Sequence, residues 1–513
     1  LDEMMVMMNP GMYRKYVTYS ANGTPLLYVL LNKALYGLLR SALLFYEKLV
    51  KDLEANGFEI NPYDPCVANK MIGGHQMTVC WHVDDLKVSH KDPKEITKFA
   101  VYLAGIYGDK LTVHRGKVHD YLGVDFDYSE PGKVKISMIK YLKGVINEFP
   151  EELPTKPAAT PASDSLFKVR DEKDPTYRPL PEEKARQFHH TVAQLLFMSS
   201  RSRRDIQTAV AFLTTRVKKP DEDDWGKLRR CLSYLEGTRY MKLTLEVNDL
   251  RVIEWWVDAS YTTHDDFKGH SGGMMSLGKG ATTSASNKQK INVGSSTEGE
   301  IVGTHDFLGK IMWAKYFIEA QGYTVDQNIV YQDNQATLRL MTNGRLSSTK
   351  RTKHIHARYF LVKDYIERGE IKAVHCPAEG MWADVLNKPK QGASFRRDRG
   401  HLMNVPTDYD NEVERSRTHH KLLAFEKEGA QDVPAKPRTV LKGALPVQHR
   451  RSVLGRPRIG APHRAPNMRR ALNPRPRDIR PIPGVMAESE RVRTKVRMGR
   501  GRARGRGARP AQQ

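Results

Sequence analysis

Apolar and polar positions change rhythm several times along the chain. Leu27–Leu31 is a short apolar run, Leu43–Leu53 repeats at helical spacing, and Met77–Val83 reads as a strand. A Pro-rich stretch from Phe149, FPEELPTKPAATPASDS, breaks this pattern and reads as a linker. AVAFLTTRV and WGKLRRCLSYLEG, within residues 185–237, place apolar residues three and four apart and predict helices. From Ile253 to about Lys388 strands come first and helices follow, which predicts an α/β (α+β) arrangement. After Phe395 the periodicity fades. The end of the chain, rich in Arg, Pro and Gly and closing on GRGRARGRGARP, is expected to be disordered.

Composition sharpens this picture in three places. The 513 residues allow two or three domains, and no apolar run of 18 or more predicts a membrane span. The net charge of +24 is lopsided: 22 Lys and Arg against three acids place +19 in residues 434–513, leaving +5 for the rest. A nucleic-acid role must therefore rest on sites and not on global charge. Cys66, Cys80, Cys231 and Cys376 form no CxxC pair, which argues against a zinc module and a disulfide framework. The chain begins at Leu1, and LDEMMVMMNP lacks the order of a signal peptide, so it reads as a fragment whose true start is missing.

Candidate chemistry lies in acids at element ends. TVCWHVDDLKVSH predicts strand, tight turn, strand, with Asp84 and Asp85 at the turn. Paired carboxylates there can hold hard divalent cations, or they can be a solvated turn. Further on, EWWVDASY puts Asp258 at the end of the strand Ile253–Val257, and GGMMSLG and ATTSASN read as two more strands. SSTEGEIVGTHDFLGKIMWAKYFIEA predicts a helix started by Ser and Thr, with Glu298 or Glu300 as the candidate acid. NIVYQDNQATLRL ends a strand at Asp333, and IKAVHCPAEGMWADVLNK predicts strand, turn and a helix carrying Asp384. Acids at strand ends and helix starts can converge on one sheet edge, where two metal ions would relieve their repulsion. Four solvated acids at element ends is the plain alternative.

Ordered motifs tie these acids to a family. LNKALYGLLRSALLFYEKLVKDLEANGF, DPCV, HVDDL and YLGVDF resemble the reverse transcriptase of copia-type retrotransposons, whose YVDD box aligns with Asp84 and Asp85. HHTVAQLLFMSSRSRRDIQTAVAFLTTRV and KKPDEDDWGKLRRCLSYLEGT resemble that family's connection region. VDAS, SSTEGEIVGT, YQDNQAT, KRTKHIHARYFLV and WADVLNK resemble its ribonuclease H. The resemblance implies a truncated palm and thumb over 1–149, a Pro-rich linker over 150–184 and a helical connection over 185–250. It further implies a ribonuclease H-like mixed-sheet domain over 251–395 and a basic, disordered tail over 396–513. It makes Asp84, Asp85, Asp258, Glu300, Asp333 and Asp384 the catalytic, metal-binding acids. Each active site would use two ions of Mg2+ (or Mn2+). Glu300 is preferred to Glu298 because the family's Glu-x-x-small register falls on Glu300–Gly303.

The same resemblance implies hydrolysis of RNA in RNA–DNA hybrids, and RNA-directed DNA polymerase activity of the intact parent on an RNA template and DNA primer. Its first catalytic aspartate would lie upstream of this chain, so the chain by itself is not expected to be a competent polymerase. Other parts of the polyprotein are implied as partners, no membrane is, and the expected location is a cytoplasmic virus-like particle and also the nucleus. The basic start RTKHIHAR places Arg351, Lys353, His354 and Arg358 to face the hybrid's phosphates. Arg201, Arg203 and Arg204 are read as scaffold, with a phosphate role open, and His375 as structural or as an aid to product release. The tail is either an RNA-binding Arg-Gly segment or translation past the element's end. An inactive relic, or a noncatalytic nucleic-acid-binding protein, remains the rival function.

Overall fold

The computed structural model describes residues 9–23, 25–27, 39–108, 111–344, 357–407 and 409. The described residues all belong to the first of two units, Leu1–Pro434, and the second, Ala435–Gln513, lies outside them.

A small hairpin pairs β1 (Val17–Tyr19) with β2 (Pro25–Leu27). Helix α1 (Leu39–Ala55) follows, burying Leu49 and Leu53 one turn apart. Strands β3 (Glu59–Ile60), β4 (Val67–Ile72), β5 (His75–His82) and β6 (Asp85–Ser89) form an antiparallel sheet in that order. Along β5 Met77, Val79 and Trp81 are buried, the period-two pattern of a strand with one covered face. Helix α2 (Pro93–Tyr107) covers that face with Phe99 and Leu103; the Asp92 side chain caps its start by accepting from the Lys94 amide at 2.8 Å.

Strands β7 (Val118–Tyr121), β8 (Val124–Asp127) and β9 (Lys133–Ser137) then form a meander closed by helix α3 (Ile139–Glu148). The expected linker over 150–184 is irregular in backbone as far as Pro181, where a helix begins, yet it is packed and not free: Ala162, Leu166, Phe167 and Leu180 are buried. Proline blocks regular structure there, while the apolar side chains still join the core. Helices α4 (Glu182–Ser199), α5 (Gln207–Arg216) and α6 (Glu222–Gly237) follow as expected from their spacing. Asp221 and Asp224 form a reciprocal capping box at the start of α6.

Strand β10 (Leu243–Val247), inside the stretch expected to be a helical connection, pairs with β9 and extends the meander. Strands β11 (Val252–Ser260) and β12 (Lys268–Ser276), the short β13 (Gly278–Lys279) and β14 (Thr283–Asn292) come next. The long helix α7 (Ser296–Ala320), β15 (Gln327–Gln332), α8 (Gln335–Asn343), α9 (Leu361–Glu367) and β16 (Lys372–His375) complete the mixed sheet β14-β12-β11-β15-β16. Its first three strands are antiparallel and the last two join in parallel. Ile253, Trp255 and Val257 of β11 pack with the α7 core, and Trp256 belongs to the other core.

Two further expectations need correction. Asp384 sits on a short 3-10 turn, Trp382–Leu386, and not on a longer helix. The ordered region also continues past residue 395: α10 (Gly392–Met403) buries Phe395, Leu402 and Met403, so the start of the expected tail is structured. A helix of mixed polarity hides its pattern when only a few of its positions face the core. All four cysteines are free thiols, and among the described residues no helix is long and apolar enough to cross a membrane.

Candidate metal centre

Three acids arrive at one edge of the mixed sheet from three elements. Asp258 lies near the end of β11 and is buried, paired in register with Gly272 of β12. A Cβ at Gly272 would lie 2.7 Å from Leu386 Cβ and 2.9 Å from the Ala383 carbonyl, so glycine lets the Trp382–Leu386 turn rest against the sheet. Glu300 comes from the second turn of α7. The Ser295 hydroxyl caps that helix by accepting from the Glu298 amide at 3.2 Å, and the Glu298 carboxylate accepts from the Gly294 amide at 2.6 Å. Glu298 is thus a buried capping acid and no surface group. A Cβ at Gly303 would stand 3.1 Å from Ser271 Oγ and 3.3 Å from Ala259 Cβ, so this small residue brings α7 down onto β11 and β12.

Asp333 follows β15 directly and precedes Asn334, which caps α8 by accepting from the amides of Ala336 and Thr337. The Asn334 amide nitrogen also donates to Glu300 Oε1 at 3.0 Å, which ties the two acid-bearing segments together. One oxygen each of Asp258, Glu300 and Asp333 lie within 4.8 Å of one another. Glu300 Oε2 is buried, with no hydrogen-bond partner among the described residues. Burial, with the Asp258 and Asp333 charges adding, pushes the Glu300 carboxyl up to about 8, against the opposing hydrogen bond from Asn334. Burial raises Asp258 to about 6; Lys388 opposes this and Asp384 adds to it. Three crowded carboxylates with an orphaned buried oxygen are a donor set that fits a hard divalent cation.

Asp384 stands beside this trio without joining it. Lys388 Nζ lies 2.6 Å from Asp384 Oδ1 and 2.9 Å from Asp258 Oδ2, and Lys390 Nζ lies 3.0 Å from Asp384 Oδ2. Burial would raise the Asp384 carboxyl, but the hydrogen bond with Asp258 and the two ammonium groups hold it below its ordinary range. Asn387 Nδ2 donates to Asp258 Oδ2 at 2.7 Å, and the Ser260 hydroxyl fixes Asn387 by donating to its carbonyl at 2.9 Å. Sequence reading passed over Asn334, Asn387 and Lys388. Lys388 lies four residues after Asp384, a spacing that signals a local ion pair.

Asp84 and Asp85 are placed differently. Asp85 pairs with His82 and closes a two-residue turn of Val83 and Asp84, with all four exposed. Val83 has φ of 56°, a strained value for a β-branched residue at a hairpin tip. Among the described residues no third His, Cys, Asp or Glu gathers with the two aspartates. Arg203 and Arg204 are buried: Arg203 holds Asp205 and Arg204 Nη2 donates to the Thr282 carbonyl at 2.8 Å, so neither can reach a phosphate. Arg201 is exposed and lies over the Phe197 ring. His375 is exposed at the end of β16. Arg351, Lys353 and His354 lie outside the described residues, and Arg358 falls in the turn Ala357–Phe360.

Residues 12–163 match the reverse transcriptase (RNA-dependent DNA polymerase) family. The retrovirus-related Pol polyprotein from transposon TNT 1-94 of Nicotiana tabacum is 26% identical over 365 residues, covering 70% of this chain and 27% of the relative. The corresponding polyprotein from transposon RE2 of Arabidopsis thaliana is 25% identical over 373 residues, covering 71% and 24%. A transposon Ty5-1 protein of Saccharomyces cerevisiae is 27% identical over 282 residues, covering 54% of this chain and 87% of that one. The chain spans about a quarter of the length of the two plant relatives (27% and 24%). Among solved structures, it is similar to the prototype foamy virus protease–reverse transcriptase, at 16% identity over 74% of this chain and 42% of that one, with a TM-score of 0.20. So loose a superposition bears on neither site.

Proposed function

The chain belongs to the copia-type retrotransposon polyproteins and carries a reverse transcriptase domain, and from this premise we propose that its 251–395 region is a metal-dependent ribonuclease H that cleaves RNA in RNA–DNA hybrids. The observation that carries this reading is the convergence of Asp258, Glu300 and Asp333, from β11, α7 and the end of β15, to within 4.8 Å. Asp258, Glu300 and Asp333 would hold Mg2+ or Mn2+, which when bound supplies Lewis acidity and an acidified water for attack on a phosphodiester. Asn334 holds Glu300 Oε1, and Asn387, itself fixed by Ser260, holds Asp258 Oδ2. Because these partners are buried or local to the same turns, the acids are preorganised. Recognition of the hybrid would rest on shape and 2′-hydroxyls and not on base sequence. The exposed Asp84–Asp85 hairpin lies in the reverse transcriptase domain, and RNA-directed DNA polymerase activity on an RNA template and DNA primer is the corresponding proposal for the intact parent.

The test is Mg2+-dependent cleavage of a labelled RNA–DNA hybrid by the chain and by Asp333→Asn. The substitution is expected to lower cleavage by roughly 100-fold or more, since one donor for the cation is lost. Equal cleavage by both chains would end the assignment and leave a noncatalytic nucleic-acid-binding role or an inactive relic.

A further inference from the structure

We propose that the Lys388 ammonium is a built-in cation of the acidic site, standing between Asp258 and Asp384 where a second divalent ion would otherwise lie, so that this chain recruits a single divalent cation through Asp258, Glu300 and Asp333. The inference rests on the hydrolytic reading and specifies how that site is loaded.

Lys388 Nζ is within ion-pair distance of both acids, 2.9 Å from Asp258 Oδ2 and 2.6 Å from Asp384 Oδ1. One positive group thus bridges the two carboxylates that a second ion would have to share. The Asp258 oxygen that faces Lys388 and both oxygens of Asp384 are engaged, which leaves the other Asp258 oxygen for the trio. Asn387 donates to the same Asp258 oxygen at 2.7 Å, and Lys390 takes the other Asp384 oxygen at 3.0 Å. Lys390 is in turn anchored on buried Asp398 at 2.5 Å, so it is not a loose surface partner. The three acids that do gather within 4.8 Å exclude Asp384.

Electrostatics then separates two positions. At the trio, Lys388 touches Asp258 alone, and the hydrogen-bond partner of Glu300 among the described residues is the neutral Asn334. At the Asp258–Asp384 position a divalent ion would have to displace an ammonium already at contact distance, and would repel it strongly if both stayed. Lys388 lies four residues after Asp384, just past the Trp382–Leu386 turn, so its short tether holds it there at high effective concentration. It is a positioning residue, acting on the acids and not on the substrate.

The test counts bound Mn2+ by electron paramagnetic resonance on the full chain, with Asp84→Asn and Asp85→Asn introduced to silence the hairpin acids. The expected stoichiometry is one ion per chain, rising to two in Lys388→Met. If Lys388→Met does not fold, as judged by circular dichroism, Lys388→Gln removes the charge while keeping a donor and is expected to bind two as well. Lys388→Arg, which restores a cation, is expected to return the count to one. Two ions in the chain with Lys388 intact would overturn the inference while hybrid cleavage still upheld the hydrolytic reading. A single ion in the charge-removing variants would also overturn it. No bound ion together with no cleavage would bring down the hydrolytic reading itself.

Discussion

Single residues in this chain repeatedly solve the problem of a buried charge. Arg203 and Asp205 are both buried, with Arg203 Nη2 at 2.8 Å from Asp205 Oδ2 and Nε at 3.0 Å from Oδ1. The Tyr234 hydroxyl donates to Asp205 at 2.5 Å, and Arg203 also donates to the Thr238 carbonyl at 3.0 Å. Burial alone would raise the Asp205 carboxyl, but the Arg203 charge and hydrogen bonds hold it below its ordinary value. Removing the negative partner strands a guanidinium in the core. Asp205→Asn is therefore expected to lower unfolding stability by about 3–5 kcal/mol, as measured by urea denaturation. A loss within the scatter of surface substitutions would show the pair to be solvated.

At the scale of elements, β12 shows how small residues set the distances on which the site depends. Gly272 meets the Trp382–Leu386 turn, and its neighbour Gly273 meets the Phe307 ring of α7, where a Cβ would come within 2.5 Å. The strand is thereby covered closely on both faces. Gly272→Ala would press a Cβ against backbone and Cβ atoms that cannot swing aside, at an expected loss of about 1–3 kcal/mol and with weakened hybrid cleavage as Asp384 and Lys388 shift. Gly226 in α6 provides the opposite sign. It is exposed, and nothing lies within 4 Å of where its Cβ would be. Gly226→Ala should stabilise the chain by about 0.5–1 kcal/mol and leave cleavage unchanged. Paired melting curves and cleavage rates for the two variants check both outcomes.

Across the whole molecule, segments distant in sequence share cores and sheets. The sheet β13-β10-β9-β8-β7 unites strands from residues 118–137, 243–247 and 278–279, and one apolar cluster runs from Val124 to Met403. Trp313 Nε1 donates to the Tyr63 carbonyl at 3.0 Å, linking α7 to the N-terminal sheet region. The 150–184 stretch is held in part by Phe167, whose ring centre lies 4.9 Å from that of His264 and 5.1 Å from that of His270. Those histidines are buried and bonded to each other at 2.9 Å, with His270 also bonded to Ser286 at 2.8 Å and Phe212 of α5 stacked on His264.

Burial, reinforced by Lys288, lowers His264 to about 4 and, with His264 and Lys288 adding, lowers His270 to about 3; Asp266 opposes the shift and Lys268 adds to it at His264. The unfolded chain takes up these protons near 6.5, where the folded one cannot, so their contribution is intact above 6.5 and is lost as pH falls toward 4. Glu300 and Asp258, shifted upward, act in the opposite sense over part of this range. The prediction is therefore a difference: the urea midpoint of the unaltered chain should fall more between pH 7 and pH 5 than that of His270→Gln. Parallel profiles would refute it.

Local features of this protein are written in its sequence because their causes are local. Alternation at Met77, Val79 and Trp81 marks β5, the Ser295 cap marks the start of α7, and tight-turn chemistry marks the Asp84–Asp85 hairpin. The placement of Asp258, Glu300 and Asp333 at element ends was legible for the same reason, since caps and strand ends depend on neighbours a few residues away. Tertiary structure alone decided that Asp384 would be claimed by Lys388 and Lys390, and that β10 would complete another segment's sheet. It also decided that the Pro-rich 150–184 stretch and the helix Gly392–Met403 would enter the core. Each of these depends on groups brought together from distant parts of the chain, and close packing chooses among such partners only once the elements have met.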